Sequence, residues 1–557
     1  MLTDPSTRYP AFQAWPLPDR QWPNRQASLA PIWLSTDLRD GNQALAEPMS
    51  TQQKQRFFQL LLRCGFKEIE VAFPAASQTD YDFVRLLIEG GHVPDDVTLQ
   101  VITQSRPDLI ARTISSLRGA RRAIVHLYNA SAPVWREQVF GLEREGVVRL
   151  AVDGCRQIKA LCAASPETEW VFQYSPETFS ATEADFALEI CSAVIAAWQP
   201  SPQAKMILNL PATVEMATPN TYADQIEWMS RRLPQRDSLI LSVHPHNDRG
   251  TGVAAAELAL LAGAERVEGC LFGNGERTGN VDLLTLALNL YSQGIAPRLD
   301  FSDMDSVRRQ VEDFLQLPVH PRHPYAGELV YTAFSGSHQD AIKKGFAHQQ
   351  ADAPWRVPYL PLDPADLGRS YEAVIRVNSQ SGKGGVSWLL ERHYGLQLPR
   401  ALQQDFSRLA QDAADSGGKE LDAQDLYRLF RQTYLPPERA WRYLGHHLKS
   451  EHSGEVRLSV EAMHQDTALR LEGSGNGVIS ALLAALPETV QVQDYHEHAL
   501  GTGADAVAIC YLQLLFQDGL SLHAAAEDED VPRAAIRAVL AGLNRQAFHT
   551  EQATGIV

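Results

Sequence analysis

The chain lacks paired cysteines. Its six cysteines are scattered over 557 residues with no CxxC pair, and several lie in apolar runs, as Cys270 does in EGCLFG. Cysteines used in this way are typical of a reducing compartment, whereas secreted domains use them for disulfides. We therefore expect reduced, buried thiols and a cytoplasmic protein.

Long apolar runs and an excess of basic residues are missing too. No run reaches the roughly 18 to 20 apolar residues that span a bilayer, and the polar, Pro- and Trp-rich N-terminal residues lack the pattern of a signal peptide. The formal net charge of −17 gives no general attraction to nucleic acid or to an anionic membrane surface. We expect neither to be a partner.

Short β-rich runs alternate with longer helical segments over residues 31–295. This alternation predicts parallel βαβ units, and eight of them favour a (β/α)8 TIM barrel over a doubly wound open sheet. The eight runs lie at 31–40, 68–74, 98–104, 122–129, 169–177, 205–213, 239–248 and 266–276.

A chain of this length exceeds what one hydrophobic core organises, so further domains are expected. Residues 1–30 are interpreted as an N-terminal extension, 31–295 as the barrel, 296–430 as helical connector subdomains and 440–557 as a C-terminal α+β domain. In the C-terminal domain the predicted order of elements is strand, strand, helix, strand, strand, helix. This repeated order indicates an internal duplication. The fold class is therefore α/β with an added α+β domain.

Polar side chains end most of the predicted barrel strands. Active sites of (β/α)8 barrels are built at the carboxyl ends of the strands, so residues far apart in sequence converge there. Taken singly, each could instead be satisfied by a local partner, and Arg39 with Asp40 could form a surface ion pair of little energetic value. The nine residues are Arg39, Asp40, Gln104, Glu177, Thr213, His244, His246, Asn274 and Glu276.

His244 and His246 stand two apart at the end of a strand run, in SVHPHND. Residues i and i+2 of a strand face the same side, so both imidazoles could reach one ion. Asp40 offers an anionic oxygen from another strand end, and Asn280 or Asn274 an amide oxygen. Neutral imidazole suits Zn, Mn, Co or Fe, and carboxylate and amide oxygens suit Mg or Mn.

Long motifs follow one another in a fixed order over nearly the whole chain, and in residues and order they resemble the 2-isopropylmalate synthase family in its longer form. The motifs are DLRDGNQAL (37–45), FPAASQTDYDF (73–83), HLYNAS (126–131), QYSPETFS (173–180), NLPATVE (209–215), HPHNDRGTGVAA (244–255), GNGERTGNVDL (273–283), FSGSHQDAIKKG (334–345), YLPLDPADLGRSYEAVIRVNSQSGKGG (359–385), GSGNGVISA (473–481) and DYHEHALGTGADA (494–506).

The resemblance implies an acyltransferase that condenses acetyl-CoA with 2-oxoisovalerate and water to give 2-isopropylmalate and CoA, the first committed step of leucine biosynthesis. It also implies a divalent metal, Mg²⁺ before Mn²⁺ or Zn²⁺, held by Asp40, His244, His246 and Asn280. K⁺ is a further candidate cofactor.

The same resemblance implies roles for five other residues. Arg39 would bind the substrate and stabilise the developing alkoxide, and Thr213 would bind the substrate carboxylate. Glu177 and His338 are candidates for acid–base catalysis, with Tyr371 as a partner of His338. Which residue is the base is left open, since a base is recognised by its reach before its pKa.

The resemblance further implies a homodimer, in which the connector residue His338 contributes to an active site, that of the other subunit being one option. It implies a C-terminal regulatory domain that binds leucine as feedback inhibitor. In this chain, residues 520–540 (LSLHAAAEDEDVPRAAIRAVL) depart from the Gly-rich apolar stretch usual in the family. The domain could therefore bind leucine weakly or serve only for dimerisation.

Three other functions compete with this interpretation. Homocitrate synthase, citramalate synthase and hydroxymethylglutaryl-CoA lyase resemble the barrel segment, and the pocket for the oxo-acid side chain separates them. An Asp–His–His site with an activated water also suits a metal-dependent hydrolase. A non-catalytic amino-acid sensor is the third alternative, which intact metal-ligand candidates disfavour.

Overall fold

The structure is a computed structural model that describes residues 1–9, 11–369, 383–417, 421–450, 454–501 and 506–554. The chain divides into two compact units. The first comprises Met1–Val330 and Asp366–Arg369, and the second Tyr331–Ala365 and Ser370–Val557.

The first unit contains a closed barrel of eight strands in sequential order. All neighbouring pairs are parallel, and β8 closes the barrel on β1 with Ser35 opposite Gly269. The predicted (β/α)8 barrel is confirmed, and the open sheet is excluded. The strands are β1 (Ile32–Ser35), β2 (Glu68–Ala72), β3 (Thr98–Gln104), β4 (Arg122–Ala130), β5 (Glu169–Glu177), β6 (Met206–Ala212), β7 (Leu239–Pro245) and β8 (Arg266–Gly269).

Helices follow the barrel strands and begin at residues that cap their free amide groups. At the start of the first helix, the Ser50 hydroxyl accepts from the amide of Gln53, whose side chain accepts from the amide of Ser50. This reciprocal capping box fixes the start of the helix after β1. The helices of this unit are α1 (Thr51–Arg63), α2 (Gln78–Glu89), α3 (Pro107–Ser116), α4 (Arg144–Ala163), α5 (Ala184–Trp198), α6 (Pro219–Arg232), α7 (Gly252–Leu261), α8 (Leu283–Tyr291) and α9 (Met304–Leu315).

The N-terminal segment packs on the barrel unit through α6. The Trp15 ring packs edge-on against Phe179 and Trp228, with ring centroids 5.3 and 5.2 Å away. Further along, the Arg20 guanidinium donates two hydrogen bonds to the buried carboxylate of Asp224. Trp15 and Leu17 of this segment are therefore part of the core of this unit.

Where the structure describes it, the first part of the second unit contains four helices, α10 (Gly336–His348), α11 (Lys383–Tyr394), α12 (Arg400–Gly417) and α13 (Ala423–Tyr434). Among the described helices of either unit, none combines the length and the apolar composition that crossing a membrane requires.

The C-terminal part of this unit contains two three-stranded antiparallel sheets, ordered β11-β10-β9 and β12-β13-β14. The predicted duplication of strand, strand, helix was wrong by one strand in each half, because β9 and β14 were not recognised. The elements are β9 (Trp441–Ser450), β10 (Val456–His464), β11 (Thr467–Gly475), α14 (Val478–Ala485), β12 (Val490–Leu500), β13 (Val507–Phe516), β14 (Ser521–Asp528) and α15 (Val531–Thr554).

Strand β13 is buried on both faces. Cys510, Leu512 and Leu514 belong to the apolar core formed with α14 and α15. The alternate residues Ile509 and Tyr511 belong to a second core, which the helices α11 to α13 build. This two-sided burial explains why the strand is apolar almost throughout.

Candidate active site

A cavity of about 940 Å³ lies at the carboxyl ends of the barrel strands. Eight of the nine polar strand-end residues line it, namely Arg39, Asp40, Gln104, Glu177, Thr213, His244, His246 and Glu276. The ninth, Asn274, donates through its side-chain amide to the carbonyl of Gly41, 3.0 Å away. The structure thus brings together residues that the sequence separates by more than two hundred positions.

Asp40, His244 and His246 form a cluster of three buried potential metal ligands. The Nε2 atoms of His244 and His246 lie 3.6 and 4.0 Å from the same carboxylate oxygen, Oδ2 of Asp40. The Oδ1 atom of Asn280 lies 2.7 Å from Nε2 of His244. Four donor groups of the types that divalent cations prefer therefore face one another.

Two atoms of this cluster are buried without a protein partner. Among the described residues, neither Oδ2 of Asp40 nor Nδ1 of His246 forms a hydrogen bond. Unpaired buried polar atoms are costly, and each such atom in a native structure calls for an explanation. At Asp40 the unpaired oxygen is the one that faces both histidines, so the donor set fits a cation bound between them.

The charges around the cluster favour positive charge at its centre. Burial alone would lower the pKa of His244, but Asp40 and Glu268 raise it to about 10. Burial and the neighbouring His244 lower the pKa of His246 to about 4. Burial would raise the pKa of Asp40, whereas Arg39 and His244 hold it well below its usual range. The site thus stabilises a positive charge, carried by a proton or by a metal cation.

Arg39 is held in the cavity wall by two carboxylates. Its Nη1 atom donates to Oδ1 of Asp40 at 2.7 Å, and its Nε atom donates to Oε1 of Glu70 at 2.5 Å. Only 11% of the Arg39 side chain is exposed. The surface ion pair considered from the sequence is therefore a buried, oriented group that can meet negative charge on a bound molecule.

Glu177 and Thr213 line the same cavity from the ends of β5 and β6. Burial raises the pKa of Glu177, and the charge of Arg39 opposes that rise. The hydroxyl oxygen of Thr213 accepts from the amide of Thr178 at 2.9 Å. A carboxyl group whose pKa is shifted by burial inside a cavity is a candidate for acid–base work.

Comparison with known proteins identifies the family. The HMGL-like family model matches residues 30–311, the alpha-isopropylmalate synthase post-catalytic domain-like model 328–391, and the LeuA allosteric (dimerisation) domain model 420–547. The chain is 61% identical to the 2-isopropylmalate synthase of Cupriavidus taiwanensis over 98% of this chain and 96% of that one. It is 59% identical to that of Azotobacter vinelandii over 98% of each chain. This chain belongs to the 2-isopropylmalate synthase family.

Among solved structures, the HMG-CoA lyase of Brucella melitensis aligns with 52% of this chain and 100% of its own at 16% identity, with a TM-score of 0.42. The resemblance inferred from the motifs is confirmed by the family matches over the whole length.

Of the residues that the family resemblance marks as catalytic, His338 lies outside the barrel unit. His338 lies in α10 of the second unit, where its ring is 4.1 Å from that of Tyr359. Tyr371 falls outside the described residues. The roles of both stay predictions.

Several polar residues of this synthase-family site were missed from the sequence because they lie within strands. His126, Ser175 and Asn209 line the cavity floor. The Nε2 atom of His126 and the side-chain amide of Asn209 lie 2.7 and 2.9 Å from the Ser175 hydroxyl oxygen. A signal was present, since Gln173, Ser175 and Glu177 alternate along β5 and so face one side.

Proposed function

We propose that this chain condenses acetyl-CoA with 2-oxoisovalerate and water to form 2-isopropylmalate and CoA, the first committed step of leucine biosynthesis. Identity near 60% over the full length with named 2-isopropylmalate synthases supports this reaction most strongly. The cavity at the barrel mouth, with its acidic, basic and metal-ligand side chains, supports the same conclusion.

We propose that Asp40, His244, His246 and Asn280 hold a divalent cation, with Mg²⁺ ahead of Mn²⁺ and Zn²⁺. The unpaired Oδ2 of Asp40 and the short distances among the donors support this ligand set. When bound, such a cation supplies Lewis acidity toward the keto group of the oxo acid.

The protein groups have separate tasks in this proposal. The guanidinium of Arg39 stabilises negative charge on the keto oxygen as the new carbon–carbon bond forms, and the Thr213 hydroxyl binds the substrate carboxylate. Glu177 or His338 removes a proton from the acetyl methyl group, and the enolate carbon then attacks the keto carbon. Water next cleaves the thioester, which releases CoA as the thiol.

We further propose that the chain forms a homodimer and that its C-terminal domain binds leucine as an inhibitor. The match to the LeuA allosteric (dimerisation) domain over residues 420–547 supports this assignment. A leucine titration of the rate, with isoleucine as matched control, tests it. Inhibition by leucine alone is expected, and equal rates at all concentrations would limit the domain to dimerisation.

Thiol release from acetyl-CoA tests the reaction itself. Purified protein with Mg²⁺ or Mn²⁺ is given 2-oxoisovalerate, pyruvate, 2-oxobutyrate or 2-oxoglutarate, each with and without EDTA. We expect EDTA-sensitive CoA release that is fastest with 2-oxoisovalerate. A preference for another oxo acid would change the pathway but keep the chemistry, and no release with any of them would overturn the proposal.

A further inference from the structure

A buried carboxylate lies directly behind one of the two candidate metal-binding histidines. The Oε2 atom of Glu268 is 3.2 Å from Nδ1 of His244, and the Glu268 side chain is fully buried. A carboxylate can only accept, so Nδ1 of His244 carries a hydrogen whether the ring is charged or neutral. Nε2, on the side of Asp40 and Asn280, is then the atom that can give up its proton to a cation.

Glu268 is itself fixed by three donors on its other oxygen. Its Oε1 atom accepts from Arg266 at 2.5 Å, from the Gln173 amide at 2.8 Å and from the Ser242 hydroxyl at 2.9 Å. These contacts prevent rotation of the carboxylate and leave Oε2 turned toward His244. The ring of His244 therefore has one supported orientation before any ligand binds.

Arg266 holds this arrangement from deeper in the barrel. Its side chain is fully buried, and its Nε atom donates to Glu68 at 2.6 Å. Glu68 and Glu268 thus both accept from Arg266. Unlike Glu268, Glu68 contacts none of the candidate metal ligands within the described residues. The pair of glutamates offers a matched comparison.

His246 has no equivalent support. Its Nδ1 atom is buried and makes no hydrogen bond within the described part of the chain. The two histidines are therefore held differently, although they stand only two residues apart at the end of β7. Hydrogen-bonded carboxylates behind metal-binding histidines fix the tautomer and typically change metal affinity about 10–100-fold when they are removed.

We infer that Glu268 is a positioning residue, which presents the unprotonated Nε2 of His244 to the cation and makes His244 the preorganised ligand of the site. The inference rests on the metal site of the proposed function. A purely structural alternative is that Glu268 serves only to neutralise the buried charge of Arg266.

Glu268→Gln separates the two roles because it keeps an acceptor for Arg266 while turning an amide donor toward His244. The donor forces Nδ1 to accept and moves the ring hydrogen to Nε2, which blocks the metal ligand. Glu268→Asp complements it, since it keeps the charge beside Arg266 but shortens the reach toward His244. Glu68→Gln is the control, with the same chemical change beside the same arginine.

The measurement is Mn²⁺ binding to the full-length protein, followed by electron paramagnetic resonance of the free ion, with folding checked by thermal unfolding in EDTA. We expect Glu268→Gln and Glu268→Asp to weaken Mn²⁺ binding about 10–100-fold, and Glu68→Gln to leave it unchanged. If Glu268→Gln fails to fold, Glu268→Asp alone decides.

The inference is overturned if the folded Glu268 variants bind Mn²⁺ as wild type does, or if Glu68→Gln weakens binding as much as they do. A wild-type chain that binds no Mn²⁺ overturns the proposed metal site, and this inference with it. The two failures can therefore be told apart. If only the inference about Glu268 is wrong, the wild-type protein still binds Mn²⁺.

Discussion

Asp37 shows how a single buried carboxyl group can link stability to pH. It is fully buried after β1, where it accepts from the Ser35 hydroxyl at 2.8 Å and from the amide of Leu271. Burial raises its pKa to about 7, whereas an unfolded chain has an aspartate pKa of about 3.9. The folded state thus holds the proton more tightly, and the resulting stability is full below pH 4 and lost as the pH rises through 7.

Asp37→Asn removes this dependence and keeps an oxygen acceptor for the Leu271 amide. Relative to wild type, we expect the free energy of unfolding of the variant to rise between pH 4 and pH 8, by at most about 4 kcal/mol. Calorimetric or urea unfolding of both proteins across this range measures the difference. A difference that does not change with pH would contradict the account.

Glu177 gives a prediction about the pH dependence of the rate. Burial raises its pKa. Glu177 is one of the two bases proposed above, and a base must be unprotonated, so this role predicts that kcat/KM rises with pH through the raised pKa. We expect the acidic limb to lie above the ordinary glutamate value of about 4.3. Glu177→Gln should lower kcat by roughly 10²–10⁴-fold and remove the limb. An unchanged limb in the residual activity would assign the titration to another group.

The site was predictable where a functional side chain ends a strand. Asp40 follows β1 and His244 lies near the end of β7, so both stand on the side of the barrel where an active site is expected. Arg266, Glu268 and Glu70 lie inside strands, where a charged residue normally indicates a solvent-facing position. Here Arg266 pairs with Glu268, and Glu70 pairs with Arg39, and only the closed sheet reveals these pairings.

At the scale of elements, the N-terminal segment stabilises the loop that follows β5. Trp15 packs on Phe179, which stands two residues after Glu177. We expect Trp15→Ala to destabilise the barrel unit by about 3–5 kcal/mol and to lower kcat/KM, because the loop loses its packing partner.

Thermal unfolding and steady-state kinetics test this expectation. Trp22→Phe is the control, since it removes only the indole donation to Asp224 and should cost about 0.5–1.5 kcal/mol. If Trp15→Ala and its control behave alike, the segment does not support the loop.

The two strands missed from the sequence have different physical causes. Strand β9 alternates weakly and carries exposed side chains such as Leu444, so it lacks a clear apolar face. Strand β14 contains three successive alanines (524–526), and alanine has the highest helix propensity. Ala525 and Ala526 are nevertheless packed in two different cores, where small side chains let the helices approach.

Overpacking tests the two-sided burial of β14. We expect Ala525→Leu and Ala526→Leu each to destabilise the second unit by about 1–3 kcal/mol, because each adds volume to a filled core. Thermal unfolding of both variants measures the effect. Were one of them neutral, that face of the strand would not be packed as described.

At the scale of the whole molecule, the family resemblance could be inferred from the sequence because long motifs keep their order from residue 37 to residue 506. The eight-stranded barrel followed from the period of strands and helices alone. The contact of His338 with Tyr359 could not be inferred in this way, since contacts between separate segments leave no periodic signal.

The division into two compact units predicts where a metal ion acts. Mn²⁺ binding should slow amide hydrogen exchange around residues 36–44 and 244–250, because a ligand that binds only the folded site suppresses its opening. Residues 441–554 should be unchanged. Hydrogen-exchange mass spectrometry with Mn²⁺ and with EDTA measures this, and equal protection in both units would contradict the assignment.

The two-sided burial of β13 has an evolutionary consequence. Successive residues such as Cys510 and Tyr511 pack in different cores. Whether a substitution is tolerated at a position of this strand therefore depends on the core that the position faces. An inserted or deleted residue would exchange the two sets of side chains between the cores. Lineages that vary the neighbouring loops are therefore expected to inherit the length of this strand unchanged.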